Sequence, residues 1–137
     1  MNTDLLDKLI IGVTSAIISG AVAVFISTWI YKKNETRKTK LEVFRKLMGH
    51  RNDIHSKEFA ESLNSIFVVF YNSPEVITAL KAFHEVVTST YRDSEQIEGR
   101  LLELFKEISR DLKISVDAFS DSFFLRPFQT KNSSNTQ

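Results

Sequence analysis

From Leu9 to Tyr31 the chain runs for 23 residues without one charged side chain. As a helix rising 1.5 Å per residue, such a run is about 34 Å long, enough to cross a hydrocarbon core of about 30 Å with some tilt. In a chain of 137 residues it leaves about a hundred for anything soluble, which is one small domain. A cleavable signal peptide is the rival reading, because Ala21-Val22-Ala23 has the small-x-small form that signal peptidase accepts. The flanks argue against it: Asp4, Asp7 and Lys8 with the terminal amine sum to about zero where a positive region is needed, and the apolar run continues past Ala23 to Trp29 and Tyr31. Orientation follows from Lys32, Lys33, Arg37, Lys38 and Lys40 just after the run, against a lone Lys8 before it. The positive-inside rule then puts the amino terminus outside and the rest in the cytoplasm, with the lipid bilayer as a partner and Trp29 and Tyr31 in its aromatic belt.

The run is unusual in its small and hydroxylated residues. Gly12, Ala16 and Gly20 fall four apart, as do Ser15, Ser19, Ala23 and Ser27, so two adjacent ridges of a membrane helix consist wholly of small residues. Small ridges let helix backbones approach closely, and hydroxyls on them can bond across helices or line a water-filled path, so these seven residues are the expected oligomerisation surface. Gly and Ala are common in membrane helices generally, which is the bland alternative.

Beyond the span the periodicity predicts an all-α protein: the membrane helix continues into a small cytoplasmic bundle of about four to five helices. The expected division is an anchor over residues 1–33, a helical ligand-binding domain over 34–128 and a disordered polar tail over 129–137. The first cytoplasmic helix, about Asn34 to His50, carries Leu41, Phe44, Leu47 and Met48 at spacings of three and four. A second, about Ser56 to Tyr71, presents Phe59, Leu63, Ile66, Phe67 and Phe70 on one face; its "IFVVFY" end also fits a short buried strand. Ser73-Pro74-Glu75 reads as an N-cap, a proline at the first helical position and a first-turn acid. The third helix, with Val76, Leu80, Phe83 and Val87 inward, is expected to end near Tyr91. A fourth, capped by Ser94, carries Ile97, Leu101, Leu104, Phe105, Ile108 and Leu112, and a last short helix from Ser115 carries Phe119 and Phe123.

Nothing in the sequence marks an enzyme. There is no phosphate-binding glycine loop, no HExxH and no nucleophile elbow, and with no cysteine there is no disulfide or thiolate nucleophile. His50 and His55 are five apart, off the spacing that sets two metal ligands on one helical face, so no metal or other cofactor is expected. Charge is the more informative signal: residues 32–51 carry eight basic against two acidic groups, whereas residues 52–137 are net acidic. Lipid headgroups account for the first five cations. Arg45, Lys46 and Arg51 lie further out, and Arg51, if the helix persists, meets the edge of the apolar face. A buried arginine must be paired with an acid of a later helix or liganded, and with Arg45, Lys46, His50 and Asn52 beside it the liganded reading is a phosphate-bearing molecule.

The layout as a whole resembles a known group. A single amino-terminal span, then "KLEVFRKLMGHR", "FAESLNSIFVVFY", "PEVITALKAF" and "LLELFKEISRDLKISVDAFSDSFF", is similar to short membrane-anchored bacterial proteins, and among them to the membrane effectors of type III CRISPR systems found in vibrios. The resemblance rests on Leu47, Met48 and Arg51 with Leu63, Asn64 and Ile66, and it implies a single-pass protein of the bacterial inner membrane. It further implies a cytoplasmic domain that binds cyclic tetra-adenylate, a homotetramer that perturbs the membrane in antiviral defence, and no direct binding of long nucleic acid. Four phosphates in near fourfold symmetry would each meet one protomer's basic cluster, with Asn52 and Asn64 as partners for adenine. The competing classes are a membrane-anchored scaffold that recruits a protein and, for want of any catalytic constellation the weakest, a membrane-bound nuclease or hydrolase.

Overall fold

Each strongly periodic apolar stretch becomes a helix. The computed structural model describes residues 3–91, 93–115 and 120–126, and its elements are α1 (Thr3–Gly49), α2 (Lys57–Val69), α3 (Pro74–Thr88), α4 (Ser94–Asp111) and α5 (Asp121–Leu125). No strand occurs among the described residues; "IFVVFY" is helix as far as Val69 and then a turn. Phe119, expected on the last helix, and the tail from Gln129 lie outside the described residues.

The chain divides into two compact units, residues 1–37 and 38–137. In the first, the apolar window of α1 is entirely unburied, and by length and composition that helix can cross a membrane or serve as an amino-terminal signal sequence. All seven small-ridge residues are exposed, and a Cβ added at Gly12 or Gly20 would meet nothing within 4 Å. Three of the hydroxyls are satisfied within the helix itself: Thr14 donates to the Ile10 carbonyl at 2.8 Å, Ser19 to the Ser15 carbonyl at 2.9 Å and Thr28 to the Val24 carbonyl at 2.8 Å. Back-bonded in this way, a hydroxyl can face hydrocarbon without leaving a donor unpaired.

The second unit is built around one apolar core. Phe44 and Leu47 of α1, Phe59 and Ile66 of α2, Val76 and Phe83 of α3, and Leu101, Leu104, Phe105 and Ile108 of α4 are all buried, with Phe44 edge-on to Phe105 at 6.3 Å between centroids. Burying side chains of this size contributes about 1.5–3 kcal/mol each, which is what holds helices of 13 to 18 residues in place. The expected face of α2 is not wholly inward. Phe59, Ile66 and Phe70 are buried, Leu63 half-buried, and Phe67 is exposed. On α5 it is Phe124 that enters the core, while Phe123 sits at the surface, and Lys106 holds the helix to α4 through Asp121 at 2.7 Å.

Helix ends follow local chemistry with two corrections. Ser56 caps α2, its Oγ accepting from the Phe59 amide at 3.2 Å. The cap of α4 is Asp93 and not Ser94; its carboxylate accepts from the Glu95 amide at 3.1 Å. Ser73 occupies the N-cap position of α3 yet makes no capping bond. Its hydroxyl donates instead to Asp111 and accepts from Lys40 Nζ at 2.9 Å, while Lys40 also pairs with Asp111 at 2.8 Å and lies 4.8 Å above the Phe70 ring. A half-buried carboxylate draws the hydroxyl away from a cap because a charge-assisted bond is the stronger one. This triad ties α1, the α2–α3 corner and the end of α4 together.

Breaking the triad on one side should be costly. Lys40→Met leaves Asp111 and Ser73 with no cation, and we expect a loss of about 2–3 kcal/mol, below the full penalty of a buried pair because both side chains retain some solvent. Thermal unfolding of the full chain in detergent, followed by circular dichroism, checks it. Adding Asp111→Leu to Lys40→Met should recover part of the loss, whereas additive losses would show that the two side chains do not act as a pair.

Candidate functional site

Helix α1 stops at Gly49, and the chain turns through residues 50–56 before α2 begins. The turn is tightly bonded: the Asp53 amide donates to the His50 carbonyl and the Ser56 amide to the Asp53 carbonyl, both at 3.1 Å, while the Asp53 carboxylate accepts from the His55 amide at 3.1 Å. A short side-chain carboxylate bonding two residues onward is the geometry that favours Asp at turns. Arg51 therefore leaves from a turn and not from a helical face.

The Arg51 guanidinium meets neither of the partners anticipated for it. Nη1 donates to the Met48 carbonyl at 2.5 Å and Nη2 to the Arg126 carbonyl at 3.1 Å. Nε is buried with no hydrogen-bond partner, and among the described residues no carboxylate pairs with this side chain. Burial lowers its pKa by disfavouring the charged form. Arginine remains protonated at neutral pH all the same, so the site holds a partly buried positive charge whose partners among the described residues are carbonyl dipoles.

That charge opens on a cleft of about 560 Å³. Arg51, Asn52, Ile54 and His55 come from the turn after α1, Val87 from α3, Ser94, Ile97, Glu98 and Leu101 from α4, and Leu125 and Arg126 from the end of α5. Its volume falls in the roughly 300–1,000 Å³ range of small-molecule sites, and its lining is mixed, with polar and charged side chains about as numerous as apolar ones. Isoleucine and leucine side chains offer a surface for a flat ring. Arg51, Arg126 and His55 offer donors to an anion, and Glu98 an acceptor for an amine or hydroxyl.

The other expected ligand residues lie elsewhere. Arg45 and Lys46 line a depression on α1 with Lys38 and Leu41, and Lys46 pairs with Glu42 at 3.2 Å. The His50 ring donates from Nδ1 to the Lys46 carbonyl at 2.9 Å and borders a groove beside Glu58 and Glu61. Asn64 belongs to a groove between α2 and α3 with Leu63, Phe67 and His84. Of the six, only Arg51 and Asn52 share the cleft. Arg126, Glu98 and Ser94 were not legible as partners, since they stand 43 to 75 positions away from Arg51 and only the packing of α4 and α5 brings them in. His55, four residues from Arg51, was within reach of a local argument but was weighed only as a metal ligand. Among the described residues no three acidic or histidine side chains gather as metal ligands would.

Arg51→Ala should uncover the Met48 and Arg126 carbonyls while removing a partly buried charge. We expect a net loss of about 1 kcal/mol, a drop of about 4–8 °C in the melting temperature of a domain this size. A melt of the full chain in detergent reads it, and complete unfolding would mean that Arg51 is chiefly a structural strut.

No curated protein and no solved structure matches the chain. Its residues 3–121 do match a family profile, a match that takes in the apolar segment, the turn with Arg51 and the helices up to the start of α5. The chain accordingly belongs to a family of unknown function, DUF6680.

Proposed function

We propose that this chain is a membrane-anchored, non-enzymatic receptor whose cytoplasmic domain binds a phosphate-bearing nucleotide, with a cyclic oligoadenylate as the ligand class. The observation that carries the reading is Arg51: a guanidinium whose Nε is buried without a partner, at the wall of a cleft that sets Ile54, Val87, Ile97, Leu101 and Leu125 beside Asn52, His55, Ser94, Glu98 and Arg126. A phosphate there would give the Arg51 guanidinium an anion that the described residues do not, and the apolar side chains would take the base. The resemblance to type III CRISPR membrane effectors names cyclic tetra-adenylate in particular, with an antiviral role. In this reading four copies assemble in the bacterial inner membrane with their amino termini outside, each offering one Arg51 to one phosphate of the ring. Binding would then alter the packing of the spans through their small-residue ridges, which requires that the ligand bind the two packings with different affinity.

The experiment uses the full chain in phospholipid vesicles loaded with dye. Cyclic tetra-adenylate should release the dye and bind with an affinity that falls as salt rises. Arg51→Gln should weaken binding at least tenfold, or about 1.4 kcal/mol, and abolish release. Gly20→Leu should suppress release while leaving binding intact. If the wild-type chain binds neither this ligand nor other cyclic oligonucleotides, the scaffold reading takes its place, with the groove between α2 and α3 as the recruiting surface.

A further inference from the structure

The α2–α3 corner exposes apolar side chains that the core has no use for. Phe67, Val68 and Tyr71 are 63%, 69% and 72% exposed, although Ile66 and Phe70 between them are fully buried. Phe67 and Val68 lie in the last turn of α2 and Tyr71 in the turn that follows it, so the three exposed side chains fall within five residues at one corner. Two aromatics and a valine side by side in water carry a solvation cost that the fold itself does not demand.

Lys40 fixes which end of the domain this is. Its ammonium lies over the Phe70 ring at 4.8 Å and bonds Ser73 and Asp111 at 2.9 and 2.8 Å. The exposed ridge, the start of α3 and the end of α4 therefore share an end with Lys40, the third residue of the second unit. Lys40 is also only nine residues beyond Tyr31. That end is where the chain arrives from its apolar segment.

A cation stands at the same end at some conformational cost. The end of α4 closes with the Lys113 amide donating to the Arg110 carbonyl at 3.0 Å and the Ile114 amide to Ser109 at 2.9 Å, which puts Lys113 in the left-handed position with φ 55°. That position is ordinarily glycine's, because a Cβ crowds the backbone there. Lys113 is exposed and has no carboxylate partner among the described residues. An aromatic ridge and a solvated lysine together match the interface of a bilayer, where rings sit at headgroup level and ammonium groups meet anionic phosphates.

We propose that this corner docks on the phospholipid interface, with Phe67, Val68 and Tyr71 entering the boundary between headgroups and acyl chains and Lys113 directed to anionic headgroups. The docking rests on the membrane-anchored reading above, and it holds the domain against the surface independently of any ligand in the Arg51 cleft.

The chain has no cysteine, so each introduced one is unique. Val68→Cys, Lys57→Cys at the far end of α2, and Phe25→Cys within the apolar segment each receive a fluorescent label in the full chain, reconstituted in vesicles of phosphatidylethanolamine and phosphatidylglycerol. Quenching is then read with spin-labelled lipid and with aqueous iodide. The label at position 68 should be quenched by lipid at least threefold more than the label at 57 and shielded from iodide, and adding Phe67→Ser with Tyr71→Ser should remove the difference. A label at 68 as open to iodide as the one at 57 overturns the docking, and so does one shielded from both quenchers, which would mean that protein covers the ridge. The label at 25 separates the two failures: quenched by lipid, it leaves the anchor standing while the docking falls; unquenched, it removes the anchor and the docking together.

Discussion

A lysine ammonium, a carboxylate and a serine hydroxyl, each drawn largely out of water, hold the second unit's main elements to one another. Lys40, Asp111 and Ser73 come from α1, α4 and the α2–α3 corner, and each would be costly to bury alone. Apolar contact is non-directional and would tolerate helices sliding along their axes. The triad does not, because its bonds form only when three particular points coincide. It fixes where α1, the start of α3 and the end of α4 meet.

The arrangement has a counterpart at the other end of the unit, where Arg51 is satisfied differently. Among the described residues that cation has no anion, and it donates to the carbonyls of Met48 and Arg126. A protein that buries one cation with full compensation and another with little has treated the two for different ends. At Lys40 the charge is spent on geometry. At Arg51 it meets carbonyls and borders a cleft of mixed lining, which is the basis of the proposed ligand site.

The apolar segment of α1 poses a question of composition that its hydrogen bonds partly answer. Serine and threonine in a membrane helix are tolerable when each hydroxyl bonds the carbonyl one turn earlier, as Thr14, Ser19 and Thr28 do. Such a helix keeps a narrow, smooth flank without unpaired donors. That is compatible with lipid contact and with close helix approach alike, so the hydroxyls by themselves do not specify a pore.

Much of the secondary structure was legible because it depends on short-range patterns. An uncharged run of 23 residues, apolar stripes at spacings of three and four, and Pro74 at a first helical position fix helices almost irrespective of their surroundings. What tertiary structure alone decided concerns residues whose partners are remote in sequence. Ser73 looks like a cap and is diverted by a carboxylate 38 residues away; Phe67, at the edge of the stripe centred on Phe59, Ile66 and Phe70, is left at the surface; Arg126 carries no local signal and reaches Arg51 only because Phe124 anchors α5 in the core. A helical pattern specifies rotation about an axis, modulo the width of the stripe, but not translation along it. Sites are made by translation as much as by rotation, which is why the sequence by itself determined the helices and the tertiary structure decided the cleft.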